Sequence, residues 1–439
     1  MPPVTAPDLD RFARLDSLGL TVAGQHIFPD HAVLFCQVTV PDDRCPSCGG
    51  QGRRHDTVLR RFTHLPLGHR PTWLQVATPR YECAGCGRVW RHRLRSVARP
   101  RSRLTRAAGM WALAAVVLDH VPVSSVARIL GVAWHTAHAA VAELGRELLI
   151  GPPGRLDGVQ VIGVDEHCWR HTGFARDRFV TVIVDLTPVR DRSGPARLID
   201  MVEGRSARVF QAWLDAQPDT FRNTVQVVGM DGFTGFKTAA AQAVPDATTV
   251  MDPFHVVALA GDKLTATRQR VQRDLTGGRG RREDRLYRCR RTLRTGSTLL
   301  TDKQKARLEA LFADDDLAAV EVGWCVYQDV IAAYRNPDKT SGKAAMTRII
   351  DSLRHGVPTG LDELAQLGRT LHRRRHDILA WFTHPGSSNG PTEAINGRLE
   401  HLRGSALGFR NLTNYIARSL LETGGFRPRL HEEPPNVAP

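Results

Sequence analysis

VQVIGVDE (residues 159–166) and TVQVVGMDG (residues 224–232) are two apolar runs of strand character, and an aspartate closes each, Asp165 and Asp231. A third acid, Glu393, opens the helical-looking segment TEAINGRLEHL, residues 392–402. Two strands ending in aspartate and a later helix carrying glutamate can converge on one point. Hard divalent cations take oxygen ligands in such a place and drive phosphodiester chemistry there. A single aspartate at a strand end reads more simply as a cap or turn residue. The three together read as a metal-holding triad in an enzyme that cuts nucleic acid.

Outward from these runs, the order of elements sets the fold class. After the turn signal GPPG (151–154) come VQVIGVD, RFVTVIVDL and ARLIDMVEG at hairpin-like spacing. SARVFQAWLDAQ then leads to TVQVVGMD, a helix at GFKTAAAQAV, and the strand ATTVMD. Strand-strand-strand-helix-strand-helix-strand-helix is an α/β order, that of an RNase H-like domain, and it sets Asp165 and Asp231 at neighbouring central strand ends. Glu166 would face the other side of its strand, because side chains alternate. Asp185 and Asp252 end the second and fifth strands. Asp252 and His255 of MDPFHVV, with Glu400 two helical turns after Glu393, are expected to form a supporting shell. Residues 258–380 read as a helical insertion carrying the Arg-rich stretch TGGRGRREDR (276–285). The catalytic domain is expected over 151–257 and 381–427, followed by a proline-rich, disordered tail at 428–439.

Upstream, CPSCG and CAGCG place Cys45, Cys48, Cys83 and Cys86 in two Cys-x-x-Cys-Gly knuckles. Four thiolates from two such turns make a structural zinc site, closed to substrate; the competing reading is a pair of redox motifs. The solitary Cys36, Cys168, Cys289 and Cys325 read as buried, inert thiols, and Cys168 with His167 and His171 as an ordinary polar group, not a second metal site. The knuckles belong to a module at 1–100 in which an apolar stretch, HAVLFCQVTV, reads as a strand. From Arg53 to Arg106 the chain carries fourteen Arg against two acids, Asp56 and Glu82. Residues 101–150 follow as a helix-turn-helix: in VSSVARILGVAWHTAHAAVAEL, Ser124 or Ser125 can cap, Val126, Ile129 and Leu130 form an apolar face, and Gly131 permits the turn. Trp134, His135, Thr136 and His138 would open the recognition helix. Any two short helices joined at glycine look similar, so the basic segment beside this one matters to the reading.

The charge balance agrees. Sixty Lys and Arg against 45 Asp and Glu give +15, of which only six are Lys. Genomic codon bias explains Arg over Lys but not base over acid, and a polyanion partner does. The opening MPPVTAPDLDRF lacks the pattern of a cleavable signal. The longest apolar stretch, AGMWALAAVVLDHV, is too short to span a bilayer, so a cytoplasmic protein without a membrane partner is expected.

With the knuckles, GVDEHCWRH, GMDGFTGF, MDPFHVV and above all SSNGPTEAINGRLEHLRGSALGFRNLTNYIARSLL in view, the chain resembles the ISL3 family of insertion-sequence transposases over nearly its whole length. The resemblance implies that Asp165, Asp231 and Glu393 are a DDE catalytic triad holding two Mg²⁺ ions, for which Mn²⁺ substitutes, beside a structural Zn²⁺. It implies binding of double-stranded DNA at terminal inverted repeats, strand cleavage and transfer into target DNA, and a homodimer or larger assembly on DNA, associated with the nucleoid. Many DDE enzymes carry a base two turns after the glutamate; here Glu400 stands there, with Arg398 and Arg403 as the nearby basic DNA contacts. Arg60, Arg61, Arg91, Arg93 and Arg95 would hold phosphates, and Arg281 and Arg282, with Arg279 and Arg285, would clamp a second DNA segment. Two other readings stay open: a transposase-derived DNA-binding regulator without catalysis, and an RNase H-like nuclease that hydrolyses without joining.

Overall fold

A computed structural model of the chain describes residues 6–278 and 280–431. Its packing divides into two compact units. One combines the chain up to Arg155 with the segment from Leu402 onward, and the other is Leu156–His401.

In the first unit, β1 (Leu20–Ile27), β2 (Ala32–Val38), β3 (Gly52–Leu67), β4 (Arg70–Cys83) and β5 (Val89–Arg91) form one sheet in the order β1-β2-β4-β3, with β5 also on β4. The segment legible only as Arg-dense is thus mostly strand. β3 and β4 make a long hairpin closed by a two-residue turn, Gly68 and His69 both at positive φ, with Leu67 opposite Arg70. Leu34, Cys36, Phe62, Leu74 and Val76 bury one face. Burial also pushes the Cys36 thiol up to about 12. Cys289 is buried as expected, whereas Cys168 is only half-buried and Cys325 is exposed.

Three helices follow, α1 (Arg106–Val117), α2 (Val123–Leu130) and α3 (Trp134–Gly145). Thr105 caps α1, its hydroxyl accepting from the Ala108 N–H at 3.1 Å. The two serines expected to cap α2 lie inside it instead. Its N-cap is Pro122, which makes no side-chain cap bond. Gly131 ends α2 at φ 63°, and a Cβ there would come within 2.8 Å of Pro71 Cβ, so both backbone and packing ask for glycine.

The second unit is built on a five-stranded sheet, order β10-β9-β6-β7-β8, from β6 (Val161–Cys168), β7 (Phe179–Asp185), β8 (Arg197–Glu203), β9 (Val227–Met230) and β10 (Thr248–Met251). β6, β7 and β8 are antiparallel neighbours, and β9 and β10 add in parallel to β6. Helices α4 (Ala207–Asp215) and α5 (Thr234–Ala243) pack on it through Phe210, Leu214, Phe236 and Ala240, which share a core with Ile162, Val164 and Val228. This is the expected RNase H-like order.

From β10 the chain enters α6 (Pro253–Thr276) and a helical insertion of α7 (Asp302–Phe312), α8 (Ala318–Arg335), α9 (Lys339–His355) and α10 (Asp362–Arg373), with its own core around Leu264, Val330, Ile350 and Leu367. Short α11 (Arg375–Ala380) brings the insertion back to the sheet. There the buried carboxylate of Asp377 accepts from Thr249 Oγ1 at 2.7 Å and Lys237 Nζ at 2.9 Å, and pairs with Arg374. The long helix α12 (Gly390–Ser405) then crosses the sheet's end and leads to α13 (Leu412–Thr423).

From Leu402 the chain groups by packing with the first unit, where Leu421 and Phe426 join the core of α1, α2 and α3. The expected tail begins with a helical turn at Arg427–His431, and its remainder lies outside the described residues. No helix among the described residues is long and apolar enough to cross a membrane.

Candidate metal centres and basic surface

β6 and β9 run parallel in register, with Gly163 opposite Gly229 and Val164 opposite Met230. One residue further along each chain come Asp165, near the end of β6, and Asp231, just past the end of β9. Each carboxylate is held by a local backbone donor: Asp165 Oδ1 accepts from the Glu166 N–H at 2.8 Å, and Asp231 Oδ1 from the Phe233 N–H at 2.7 Å. Alternation turns Glu166 away, toward Arg205 at 3.1 Å, and Asp185 is buried against Arg197 at 2.9 Å. Neither competitor belongs to the group.

Glu393 arrives from the first turn of α12, and a chain of contacts fixes it there. Its N–H donates to the Asn389 carbonyl at 3.0 Å. Asn389 donates through its backbone to Asp252 Oδ2 at 2.6 Å and through Nδ2 to the Val164 carbonyl at 3.4 Å, and Ser388 Oγ donates to the same Asp252 oxygen at 2.8 Å. Asp252 therefore joins the end of β10 to the start of α12, while its Oδ1 caps α6.

Asp231 and Glu393 lie near enough to Asp165 to act on its charge. Burial first, and then the charges of Asp231 and Glu393, raise Asp165 to about 6, against the Glu166 N–H and nearby His255, which pull it down. His255 is therefore near Asp165, whereas Glu400 Oε1 stands 3.9 Å from His171 Nε2. Seven residues at 1.5 Å each carry it about 10 Å along α12 from Glu393. Cys168, expected to be an ordinary thiol, has its Sγ 3.2 Å from the Arg170 carbonyl.

Two contributors were not read from the sequence. Asn396, one helical turn after Glu393, donates Nδ2 to Asp165 Oδ2 at 2.9 Å. Its i, i+3 spacing from Glu393 was the available signal. Arg374, from the end of the insertion, donates Nη1 to the Gly232 carbonyl at 3.2 Å and so braces the turn beyond Asp231. Nothing local in the sequence marks that pairing.

The four knuckle cysteines meet as expected. Cys45 and Cys86 Sγ lie 3.6 Å apart, Cys48 and Cys83 3.4 Å, and Cys48 and Cys86 3.6 Å. Tetrahedral thiolate ligands at about 2.3 Å from zinc stand roughly 3.8 Å from one another, so the donor set fits that ion. Among the described residues this is the group of three or more ligands whose atoms all fall within 4.8 Å of one another; the acidic trio is spread more widely. The Cys86 N–H, then the Cys48 thiol, hold Cys83 below the ordinary thiol range, toward the thiolate that a metal takes.

Arg60, Arg91, Arg93 and Arg95 line one groove of about 840 Å³ with Arg88, Arg99 and Arg101. Burial, then neighbouring Arg91, lowers the Arg60 guanidinium. Arg61, one residue on, points to the other face and stacks over Trp73 at 4.9 Å, so the two arginines expected to act together are separated by strand alternation. His135 and Thr136 of α3 line a second cavity of about 430 Å³ together with Arg99, Arg101 and Arg103. Trp134 is exposed and stacks on His138 at 4.6 Å, which puts both on one side of the helix. Arg281 and Arg282 are exposed between helices, Arg285 is held by Asp314, and Arg279 lies outside the described residues. Arg398 and Arg403 are half-buried along α12.

Comparison with known proteins covers all three regions. The ISL3 DDE family model, described as transposase, matches residues 162–419. A model for the zinc finger of the transposases of IS204, IS1001, IS1096 and IS1165 matches 41–86, and one for the helix-turn-helix domain of the ISL3 transposases matches 96–145. Among curated proteins, the transposase for insertion sequence element IS1557 of Mycobacterium tuberculosis is 26% identical over 416 residues, 88% of this chain and 87% of that protein. The transposase for IS1001 of Bordetella parapertussis is 26% identical over 376 residues, 84% of this chain and 85% of the relative.

Proposed function

The chain belongs to the ISL3 family of transposases, and from that premise we propose that Asp165, Asp231 and Glu393 form a metal-dependent centre that cuts and joins DNA at the terminal inverted repeats of an insertion sequence. What supports the proposal is that the acids come from neighbouring parallel chain segments at the ends of β6 and β9 and from the first turn of α12, near enough that Asp231 and Glu393 both raise Asp165. Like charges held together have a use when cations neutralise them, and an all-carboxylate donor set selects hard ions, Mg²⁺ with Mn²⁺ as substitute. When bound, such ions supply Lewis-acid activation of the attacking hydroxyl and stabilisation of the leaving oxygen.

The chain's own residues do the positioning. Asn396 orients the Asp165 carboxylate, Asp252 ties α12 to the sheet, and Arg374 holds the turn beyond Asp231. His255, close enough to lower Asp165, favours the ionised form that metal binding needs. The helix-turn-helix marks the protein as DNA-binding. In this reading Arg60, Arg91, Arg93 and Arg95 hold phosphates along the groove beside the zinc ribbon, and Trp134, His135, Thr136 and His138 face bases. Arg281, Arg282, Arg398 and Arg403 add further backbone contacts, Zn²⁺ on the four cysteines is structural, and two protomers bring paired ends together.

Asp165→Asn, Asp231→Asn and Glu393→Gln each remove a charge while nearly preserving shape. Each is expected to abolish strand cleavage and to leave retardation of inverted-repeat DNA in gels unchanged. A variant that cuts at the native rate would remove its residue from the centre.

A further inference from the structure

Both aspartates that close the central strands follow the same four-residue pattern: apolar, glycine, apolar, aspartate, in Ile162-Gly163-Val164-Asp165 and Val228-Gly229-Met230-Asp231. Each glycine stands two residues before its aspartate and so on the same face of the sheet. The parallel register puts the two glycines opposite one another. Side by side they make a strip of sheet without side chains, directly below the carboxylates.

That strip is filled by the segment leading into α12, with Leu186 beside it. A Cβ on Gly163 would come within 2.4 Å of Thr392 Oγ1, 3.0 Å of Leu186 Cδ1 and 3.1 Å of Asn389 Oδ1, and one on Gly229 within 2.8 Å of the Ser387 carbonyl. Ser387, Asn389 and Thr392 are all buried, at 1% exposure or less. Neither glycine has positive φ, so neither is required by its backbone conformation. Both are required by close approach. Thr392 immediately precedes Glu393, and its side chain packs directly on Gly163.

Building on the reading of the acids given above, we infer that Gly163 and Gly229 are positioning residues for the reaction: paired across β6 and β9, they form a trough whose depth sets where Glu393 stands relative to Asp165 and Asp231. A methyl group on Gly163 pushes Thr392 outward and lifts the first turn of α12. A shift on the order of 1 Å at a reacting centre costs roughly 100-fold in rate. The atoms nearest the added methyl belong to Thr392, Leu186 and Asn389, none of them in the zinc ribbon or the helix-turn-helix.

The test is a size exchange. Gly163→Ala, Thr392→Ala and the double variant are compared with native protein by calorimetric Mn²⁺ binding and by cleavage of inverted-repeat DNA, with thermal melting and DNA retention as controls. Gly163→Ala is expected to weaken Mn²⁺ binding and slow cleavage on the order of 100-fold with DNA retention unchanged. Removing the Thr392 hydroxyl and methyl in the double variant should recover most of both losses relative to Gly163→Ala. If Gly163→Ala fails to fold, recovery of folding and metal binding in the double variant supports the trough equally. The inference is overturned by Gly163→Ala that binds Mn²⁺ and cuts like native protein, or by a double variant no better than the single one. Native protein whose Mn²⁺ binding is unaffected by Glu393→Gln would instead sink the reading of the acids, a result the glycine variants cannot imitate.

Discussion

Asp165 carries the largest energetic signature of the site. Its carboxyl is raised from 3.8 to about 6, burial leading and like charge adding. The sign follows from linkage: a carboxyl raised in the folded state binds its proton more tightly there than when unfolded. Its contribution to stability is therefore full below about pH 3.8 and is lost as pH rises through 6. Two pKa units correspond to about 3 kcal/mol. Asp165→Asn is accordingly expected to melt several degrees above native protein at pH 7.5 in chelator, with the gap closing near pH 4. Equal melting at both values would contradict the assignment. Added divalent cation should reverse the order by stabilising native protein alone. Asn396 is the residue whose role was not read in advance. Its hydrogen bond to an ionised acid is worth about 1.5–3 kcal/mol, so Asn396→Ala should slow cleavage roughly 10- to 100-fold, measured under single-turnover conditions with unchanged DNA retention. The three acids were legible because strand-ending aspartates are conspicuous. Asn396 was not, since an asparagine in a helix has no single meaning until its neighbour across the sheet is known.

Periodicity gave the strands of the catalytic sheet and their order, since five buried runs separated by helices leave few arrangements. It did not give the β3 and β4 hairpin. Arginine at Arg60 and Arg61 and at Arg53 and Arg54 breaks the alternation that would have announced a strand. Arg60 faces the basic groove while Arg61 packs over Trp73. Arg60→Ala should weaken DNA binding and lower the slope of log affinity against log salt by about 1, whereas Arg61→Ala should leave that slope nearly unchanged. Titrations at three or more salt concentrations would decide, and equal slopes for both variants would mean that the faces are misassigned. The serine caps foreseen for α2 failed for a simpler reason. Pro122 fixes φ near a helix-compatible value and starts the helix ahead of both serines.

Across the whole molecule, the sequence announces its modules but not their boundaries. The helix-turn-helix was visible, yet nothing in it showed that its core needs Leu421 and Phe426 from the far end of the chain. Apolar spacing in Leu412–Thr423 says that one face is buried and leaves the partner unstated. The zinc ribbon was readable because Cys-x-x-Cys-Gly repeated twice leaves little else. Purified protein is expected to carry one zinc per chain by metal analysis. Cys45→Ser with Cys83→Ser should lose it, together with DNA retention, because the basic groove includes Cys45 in its wall. Full retention without zinc would separate the ribbon from DNA binding.

The central claim is that the three convergent acids cut DNA at the ends of an insertion sequence. It is tested most directly by mapping strand breaks on labelled inverted-repeat DNA, incubated with Mg²⁺ and either native protein or Glu393→Gln. The account predicts a break at the repeat boundary made by native protein and absent with the variant, while both retain the DNA. Breaks of equal yield with the two proteins, or specific binding by native protein with no break at any Mg²⁺ or Mn²⁺ concentration, would contradict it.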